Sequence, residues 1–210
     1  MGPCRLIVNG ETDLSTGETM SRPPGPEITQ LVRARLTAPR WLHTVRVMDT
    51  AAALATTWAV DADKAMWAAL LHDAMRDEPP DQLLLAAERY GLVVDRDTMY
   101  RPVLLHGPVA AAWAKNALGV TDEAILEAIA RHTLGAPGMG RLAALIYVSD
   151  ACEPGRDYNG VEEVRQAARA GQVREACYLC ADGMIRFLLE HRQFIHPQAV
   201  ATRNWYLEHE

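Results

Sequence analysis

The sequence has few aromatic residues and no long apolar run. Only two phenylalanines occur in 210 residues, so we expect Ala, Leu, Val and Met, with five tryptophans, to fill the core. No apolar run approaches the ~20 residues that a membrane-spanning helix needs. The first residues also lack the cationic start and apolar stretch of a signal peptide. These absences predict a cytoplasmic protein with no membrane partner.

Basic residues are also fewer than acidic residues. The chain has 21 Lys and Arg residues against 27 Asp and Glu residues, which gives a formal net charge of −6. Proteins that bind nucleic acid generally show a basic field, so this balance argues against nucleic acid as a partner. It does not exclude an anionic small molecule, because metal ions and a few arginines can reverse the local potential.

Cysteines are too few to suggest a disulfide framework. Of the four in the chain, Cys177 and Cys180 have the spacing of a redox or zinc half-motif, but no second pair accompanies them. They fall inside a segment with helical spacing, which favours buried free thiols. Such thiols fit a reducing compartment.

Helical spacing dominates from residue 28 onward, and we find no strand alternation. This predicts an all-α fold with one helical domain over residues 28–210 and roughly nine or ten helices. Residues 1–27 are predicted to form an extension that is loop or partly disordered, apart from a short strand at 1–8. The predicted helices span residues 28–37, 39–58, 62–74, 81–90, 106–118, 141–153, 161–170, 172–191 and 197–208, and 92–99 is left unassigned. A further helix is predicted to be capped by Thr121-Asp122-Glu123 and to end at His132-Thr133, and Asp61 is the predicted N-cap of the helix over 62–74.

Six histidine and aspartate side chains lie in or beside these helical segments. Imidazole and carboxylate groups suit Fe, Mn, Zn or Co, and six such groups exceed the four ligands of a tetrahedral zinc. We therefore infer two adjacent metals that can generate hydroxide from water at neutral pH. The six residues are His43, His72, Asp73, His106, His132 and Asp150.

Each member of this set has an ordinary explanation when taken alone. A single histidine is often an interior or helix-end residue. Neighbours on a helix point about 100° apart, so His72 and Asp73 can face one metal only near a helix end. Asp150 is harder to explain, because it follows an apolar run in which an unpaired carboxylate would be unfavourable. A metal or an arginine partner would resolve that cost.

The order of these residues, with the blocks around them, resembles the HD-superfamily phosphohydrolases. Within that superfamily it is most similar to the bacterial symmetrical diadenosine-tetraphosphate hydrolases of the YqeK type, and the resemblance covers residues 28–176. The matching blocks are Arg40-Trp-Leu-His43, Ala69-Leu-Leu-His72-Asp73, His106-Gly107, Ala128-Ile-Ala-Arg-His132-Thr133-Leu-Gly135 and the run from Ile146 to Val161 that contains Asp150, Glu153 and Arg156.

The resemblance implies a site and a reaction. His43, His72, Asp73 and Asp150 would hold one metal, and Asp73 would bridge to a second metal bound by His106 and His132. Iron is the leading candidate, with manganese or cobalt as substitutes. The implied reaction is attack of a metal-bound hydroxide on the tetraphosphate bridge to give two ADP. The predicted catalytic residues are His72, Asp73 and Arg76.

Several arginines are predicted to bind the phosphates of the substrate. The alternative for each of them is a solvated surface charge or an ion pair, and Glu153 could either orient a ligand or pair with Arg156. Two departures from the family pattern concern this group, since Arg46 replaces a small or apolar residue and Arg76 replaces a lysine. The predicted substrate-binding residues are Arg40, Arg46, Arg76, Thr133, Gly135 and Arg156.

Other functions fit the same residues. The metals could act on another nucleotide, such as a dNTP, a nucleoside monophosphate or a guanosine alarmone. They could also belong to a diiron oxygenase or to a non-catalytic helical binding module. A homodimer is a further expectation, with the C-terminal helices around Trp205 either forming its surface or capping the core.

Overall fold

A computed structural model describes residues 22–208 of the chain. The predicted strand at residues 1–8 and most of the predicted extension lie outside this range. The described residues form eleven α-helices and one 3₁₀ helix with no strand, which confirms the all-α prediction. The helices are α1 (Pro26–Arg33), α2 (Ala38–Ala55), α3 (Ala62–Leu71), α4 (Pro80–Arg89), α5 (Arg96–Tyr100), the 3₁₀ helix (Pro102–Leu105), α6 (His106–Ala117), α7 (Glu123–Arg131), α8 (Arg141–Cys152), α9 (Val161–Arg169), α10 (Val173–Glu190) and α11 (Pro197–Glu208).

Local capping explains where several of these helices begin. Asp61 accepts hydrogen bonds from the backbone N–H groups of Asp63 and Lys64, and so caps α3. Asp122 caps α7 by accepting from Ala124 N and Ile125 N. Aspartate is among the preferred residues at this position because its carboxylate satisfies N–H groups that have no partner within the helix. Both helix starts agree with the sequence prediction.

The structure differs from the predicted elements in several places. Helices α1 and α2 end at Arg33 and Ala55, before the predicted residues 37 and 58. The helix predicted over residues 62–74 ends at Leu71, because residues 72–77 form turns instead. The unassigned stretch of residues 92–99 contains most of α5, which Asp95 caps by accepting from Thr98 N at 2.7 Å. Helix α5 and the 3₁₀ helix have only five and four residues, so they carry too little periodicity for a pattern of apolar spacing to reveal them.

The core is built around α8, which is buried over nearly its whole length. Every residue of 142–149 is buried, and α2, α3, α7, α9 and α10 pack against the helix. Alanines are frequent in the core, among them Ala51 and Ala68, which are fully buried. Helices lined by small residues can approach each other closely, so side chains on neighbouring helices can converge on one point.

The C-terminal helices brace the loop that follows α7. Helix α11 packs against α10, and Asp182 joins the two by pairing with Arg203 at 2.8 Å as well as with Arg186 on its own helix. Thr202 Oγ1 donates to the carbonyl of Leu134 at 2.9 Å. Helix α11 therefore holds the loop that begins directly after His132.

The described cysteines are buried free thiols, as the sequence predicted for Cys177 and Cys180. Cys152 is buried as well, and burial raises the pKa of its thiol to about 11. Such a thiol is protonated at neutral pH and is a poor nucleophile. Among residues 22–208, no helix is both long and apolar enough to cross a membrane.

Candidate metal centre

The structure brings all six predicted ligands together at the ends and inner faces of five helices. His43 lies within α2 and Asp150 within α8. His72 and His132 are the C-terminal caps of α3 and α7, and His106 is the first residue of α6. The sixth member, Asp73, follows the end of α3 and lies at the middle of the cluster.

The carboxylate of Asp73 faces two different groups of histidines. Its Oδ1 lies 3.2 Å from His106 Nε2 and 3.5 Å from His132 Nε2. Its Oδ2 lies 3.5 Å from His72 Nε2 and 3.7 Å from His43 Nε2. Each oxygen therefore belongs to a separate set of donor atoms, which is the arrangement that a bridging carboxylate requires.

We name the two sets by their leading histidines. The His43 half-site contains His43, His72, Asp150 and Asp73 Oδ2, and His43 Nε2 lies 3.0 Å from Asp150 Oδ1. The His106 half-site contains His106, His132 and Asp73 Oδ1, with the two Nε2 atoms 3.0 Å apart. His72 lies between them, since its donor atom is within 4.8 Å of those of His43 and Asp150 in one half-site and of His132 in the other.

Backbone carbonyls orient three of the four histidines. In each case the ring Nδ1 hydrogen bonds to the carbonyl three residues earlier in the chain. A carbonyl only accepts, so Nδ1 carries the hydrogen and Nε2 directs its lone pair into the centre. The three bonds are His72 Nδ1 to Ala69 O at 2.6 Å, His106 Nδ1 to Val103 O at 2.5 Å and His132 Nδ1 to Ile129 O at 2.8 Å.

A side chain from a distant part of the sequence orients the fourth histidine. Glu153 is buried, and its Oε1 lies 3.1 Å from His43 Nδ1. Its contact with Arg156 is longer, at 3.9 Å. Of the two roles predicted for Glu153, the geometry therefore favours orientation of His43. A carboxylate in this position fixes the tautomer of a histidine and raises its basicity as a ligand.

These orientations leave acceptor atoms facing one another without hydrogens between them. The Nε2 atoms of His43 and His72 are buried and have no hydrogen-bond partner among the described residues. A buried acceptor without a partner is costly, and a cation between the acceptors removes that cost. Nitrogen and carboxylate oxygen donors suit Fe, Mn, Co and Zn, so the residues present fit a divalent metal.

The charge states of the cluster also suit metal binding, which requires ionised carboxylates and neutral imidazoles. Burial would raise the pKa of Asp73, but the neighbouring imidazoles of His72, His106 and His132 outweigh it and hold the pKa well below its usual range. For Asp150, burial is likewise outweighed by His43 and Arg156, so the pKa falls. Burial lowers the pKa of His106.

The predicted arginines differ in their surroundings. Arg40 Nη1 lies 2.9 Å from Asp73 Oδ2. The guanidinium of Arg156 donates to both the side-chain carboxylate and the backbone carbonyl of Asp150. The arginine partner predicted as one solution for the carboxylate of Asp150 is therefore present, and Asp150 itself is partly exposed. Arg46 lies at the margin, 4.0 Å from Glu153. Arg76 is half-buried and its side chain has no polar partner among residues 22–208.

Thr133 and Gly135 follow His132 but occupy different environments. Thr133 Oγ1 lies 3.2 Å from His106 Nε2 and 3.1 Å from His132 Nε2, so its hydroxyl faces the His106 half-site. Gly135 is buried with φ of +65°, and an added Cβ would lie 2.5 Å from Thr202 Cγ2. Packing against α11 explains this glycine, while its contact with a substrate stays a prediction.

The sequence did not reveal the cleft that opens beside the centre. This cleft has a volume of about 370 Å³, and His132, Thr133, Asp150 and Arg156 are among the residues that line it. Helix α10 supplies much of the remaining wall, through side chains that carry no metal-binding or acid–base motif. The sequence features that could have indicated the cleft are Gly183 within that helix and the apolar residues Met184 and Phe187, which lie one turn apart.

A buried histidine–aspartate cluster inside a helical bundle defines a metal-dependent hydrolase as the class of protein, and comparisons with known proteins agree. The family model described as "HD domain" matches residues 40–182. The symmetrical bis(5'-nucleosyl)-tetraphosphatase of Bacillus subtilis is 37% identical over 85% of this chain and 95% of its own length. The enzyme of the same name from Halalkalibacterium halodurans is also 37% identical, over 83% and 92%.

A solved structure supports the same assignment. The crystal structure of a predicted HD superfamily hydrolase involved in NAD metabolism from Clostridium acetobutylicum has a TM-score of 0.83 and 33% identity, and covers 88% of this chain and 97% of that one. The chain belongs to the HD-domain family, in the group of the symmetrical tetraphosphatases. This confirms the resemblance seen in the sequence.

Proposed function

We propose that this protein hydrolyses diadenosine tetraphosphate symmetrically to two ADP at a dinuclear metal centre. The observation that carries the proposal is the position of Asp73, whose two oxygens face separate groups of histidines. The names of the two relatives that are 37% identical supply the substrate class. Their similarity extends over most of the chain, and the HD-domain match over residues 40–182 spans the positions of all six candidate ligands.

The metals are proposed to follow the two half-sites. His43, His72, Asp73 and Asp150 would hold one ion, while Asp73, His106 and His132 would hold the other. Iron is proposed as the occupant, with manganese and cobalt as substitutes, since nitrogen and oxygen donors accommodate all three. When bound, such ions supply a nucleophile from water and neutralise negative charge on phosphate oxygens.

In the overall reaction, water adds across the central P–O–P linkage. A bond forms between the water oxygen and one of the two inner phosphorus atoms, and the bond from that phosphorus to the bridging oxygen breaks. Both halves leave as ADP. The chain's own contribution is to hold Asp73 and His72 at the centre and to keep their carboxylate and imidazole in the charge states described above.

Cationic side chains are proposed to bind the phosphates. Arg40 and Arg156 already lie against the carboxylates of the centre, so they can turn to a polyphosphate once metal ions neutralise Asp73 and Asp150. Arg76 has no competing partner among the described residues. A guanidinium can bind two phosphate oxygens at once. Thr133 would donate its hydroxyl to a phosphate oxygen at the His106 half-site, and Arg46 and Gly135 would lie further out.

The remaining proposals concern context. We place the enzyme in the cytoplasm, because buried free thiols fit a reducing compartment. We also propose a homodimer, with exposed apolar residues of α11 such as Trp205 and Leu207 as its candidate surface. The catalytic domain is proposed to span residues 28–210, with residues 1–27 as an extension.

Product analysis with metal counting tests the proposal. Protein purified with and without oxygen is analysed for bound metals and then incubated with diadenosine tetraphosphate in ¹⁸O-labelled water. We expect two metals per chain and ADP as the sole product, with one ¹⁸O atom per pair of ADP molecules. AMP with ATP would contradict symmetrical cleavage. Turnover restricted to dNTPs, nucleoside monophosphates or guanosine alarmones would contradict the substrate, and bound metal without turnover would contradict an enzyme.

A further inference from the structure

The wall of the cleft formed by α10 has an aromatic and apolar character that the metal centre does not explain. Met184 and Phe187 line the cleft, yet they are 49% and 45% exposed. They are three residues apart and therefore adjacent on one face of the helix. Single exposed apolar residues are common on protein surfaces, but these two lie together and border the same cleft as Asp150.

Phe187 is held in place by His191, the residue that directly follows the end of α10. The ring of His191 stacks against the Phe187 ring with centroids 4.1 Å apart and planes 32° apart. His191 Nδ1 donates to the Phe187 carbonyl at 2.8 Å, which fixes the imidazole. The phenyl ring is therefore supported although nearly half of it is exposed. An aromatic surface that is ordered before binding loses little side-chain entropy when a ligand covers it.

Gly183 is the second unexplained feature of this wall. Glycine inside a helix is less favourable than alanine, and nothing in the packing here requires it. Among residues 22–208, an added Cβ would have only Tyr158 Cε2 within 4 Å, at 3.9 Å, which is an ordinary contact. The absent side chain instead leaves open space in the cleft, where a flat ligand can lie against the backbone of α10 between Tyr158 and Phe187.

We propose that this cleft binds one nucleoside of the substrate, with the base lying over Gly183 and stacking on Phe187 and Tyr158. The proposal rests on the proposed function, and it identifies the nucleoside-recognition site. A volume of about 370 Å³ is at the small end for small-molecule sites, so it suits one nucleoside rather than two. Arg156 and Thr133 at the inner end place the attached phosphates towards the metal centre. Stacking is tolerant of base identity because every base has a π-face.

Direct binding measurements test this inference without relying on turnover. Metal-loaded protein is titrated with ADP and, separately, with pyrophosphate, which has no base. We expect Phe187→Ala to raise the Kd for ADP about tenfold, the size of effect typical for loss of one base–aromatic stack. Its Kd for pyrophosphate should change less than twofold. Leu189→Ala is the matched control, since Leu189 is exposed on the same helix but does not line the cleft.

Two further variants protect the test against a folding artefact. Phe187→Tyr keeps the stacking surface and should bind ADP as the wild type does. Gly183→Leu should weaken ADP binding at least as much as Phe187→Ala, although leucine favours the helix. Unchanged ADP binding in Phe187→Ala, or equal losses for ADP and pyrophosphate, would overturn the inference. If the wild type binds ADP in this Phe187-dependent way but does not hydrolyse diadenosine tetraphosphate, the proposed function fails and the nucleoside site stands.

Discussion

The two half-sites share Asp73 but are constructed differently. In the His106 half-site, both histidines lie at helix ends and bond to carbonyls three residues earlier. In the His43 half-site, His43 lies within α2 and takes its orientation from Glu153, which is 110 residues away in the chain. Two arginines, Arg40 and Arg156, also contact the carboxylates of that half-site.

This difference shows that the same ligand type can be positioned locally or through tertiary contacts. A histidine that bonds to a carbonyl three residues earlier is oriented by local contacts and does not depend on how distant helices pack. A histidine held by Glu153 depends on the packing of α2 against the end of α8. We therefore expect the His43 half-site to be more sensitive to single substitutions outside the ligand set, and four predictions test this, from the largest effect to the smallest.

Removing the shared ligand should disable both half-sites. We expect Asp73→Ala to lose both metals and to reduce turnover of diadenosine tetraphosphate on the order of a thousandfold or more, because the two sets of donors each lose an oxygen. Elemental analysis and steady-state kinetics measure these losses. Asp81→Ala, at an exposed position in the first turn of α4, is the control. An active protein without metal would contradict the dinuclear proposal.

Replacing the carboxylate that orients His43 should affect one half-site only. In Glu153→Gln the amide oxygen can still accept from His43 Nδ1, but the negative charge is lost. We expect affinity for one of two metals to fall about 10–100-fold, so metal titration should separate into a tight and a weak step. Glu162→Gln, at an exposed ion-paired glutamate, should leave both steps as they are. Equal weakening of both ions would contradict the distinction between half-sites.

Removing the hydroxyl beside the His106 half-site should affect catalysis more than metal binding. Thr133→Val keeps the shape of the side chain but removes the group that lies near His106 and His132. We expect kcat/KM to fall about tenfold, the value of one hydrogen bond to a charged group, with two metals still bound. Thr50→Val is the control, since within the described part of the chain that hydroxyl bonds only to the Arg46 carbonyl. Loss of one metal would instead make Thr133 a ligand.

Removing the ion pairs of Asp182, which joins α10 to α11, should have the smallest effect of the four substitutions. Burial would raise the pKa of Asp182, but hydrogen bonds from Arg203 and Arg186 outweigh it, so the pKa is lowered. A lowered folded-state pKa stabilises the fold above the usual aspartate pKa of about 3.9, and that stabilisation is lost as the pH falls through the lower value.

We therefore expect Asp182→Asn to reduce the free energy of unfolding by less than about 1 kcal/mol at neutral pH. The unfolding curves of the variant and the wild type should converge as the pH falls below the usual aspartate pKa. Urea denaturation at several pH values measures this difference. A difference that grows on acidification would contradict the stated role of Asp182, and metal content should be the same in both proteins.

The sequence predicted the parts of this architecture that depend on local spacing. The caps Asp61 and Asp122 and the start of α6 at His106 agree with the structure, because each depends on residues within one turn. The predicted end of α3 at residue 74 differs from the structure, because the turn after Leu71 interrupts a segment that still has helical composition. A ligand-orienting role for Glu153 was only one of two alternatives, and its partner His43 was not predicted, because spacing along the chain does not report which distant helices pack together.

The cleft wall on α10 shows the same limit more strongly. Gly183 and Phe187 have no motif around them, and their position opposite Tyr158 depends on how α10 packs against α8 and α9. The set of six ligands was accessible from the sequence for a different reason. Histidines and aspartates near helix ends are individually common, but their joint order resembles a family, and the HD-domain match confirms that family.

The placement of ligands at helix ends also bears on how fast metals exchange. The first and last turns of a helix open more readily than its interior, and local opening does not require the whole protein to unfold. His106 and His132 both lie at such ends, whereas His43 and Asp150 lie within α2 and α8. We therefore expect an ion bound at the proposed His106 half-site, whose two histidines both lie at helix ends, to be the first to leave when a chelator is added.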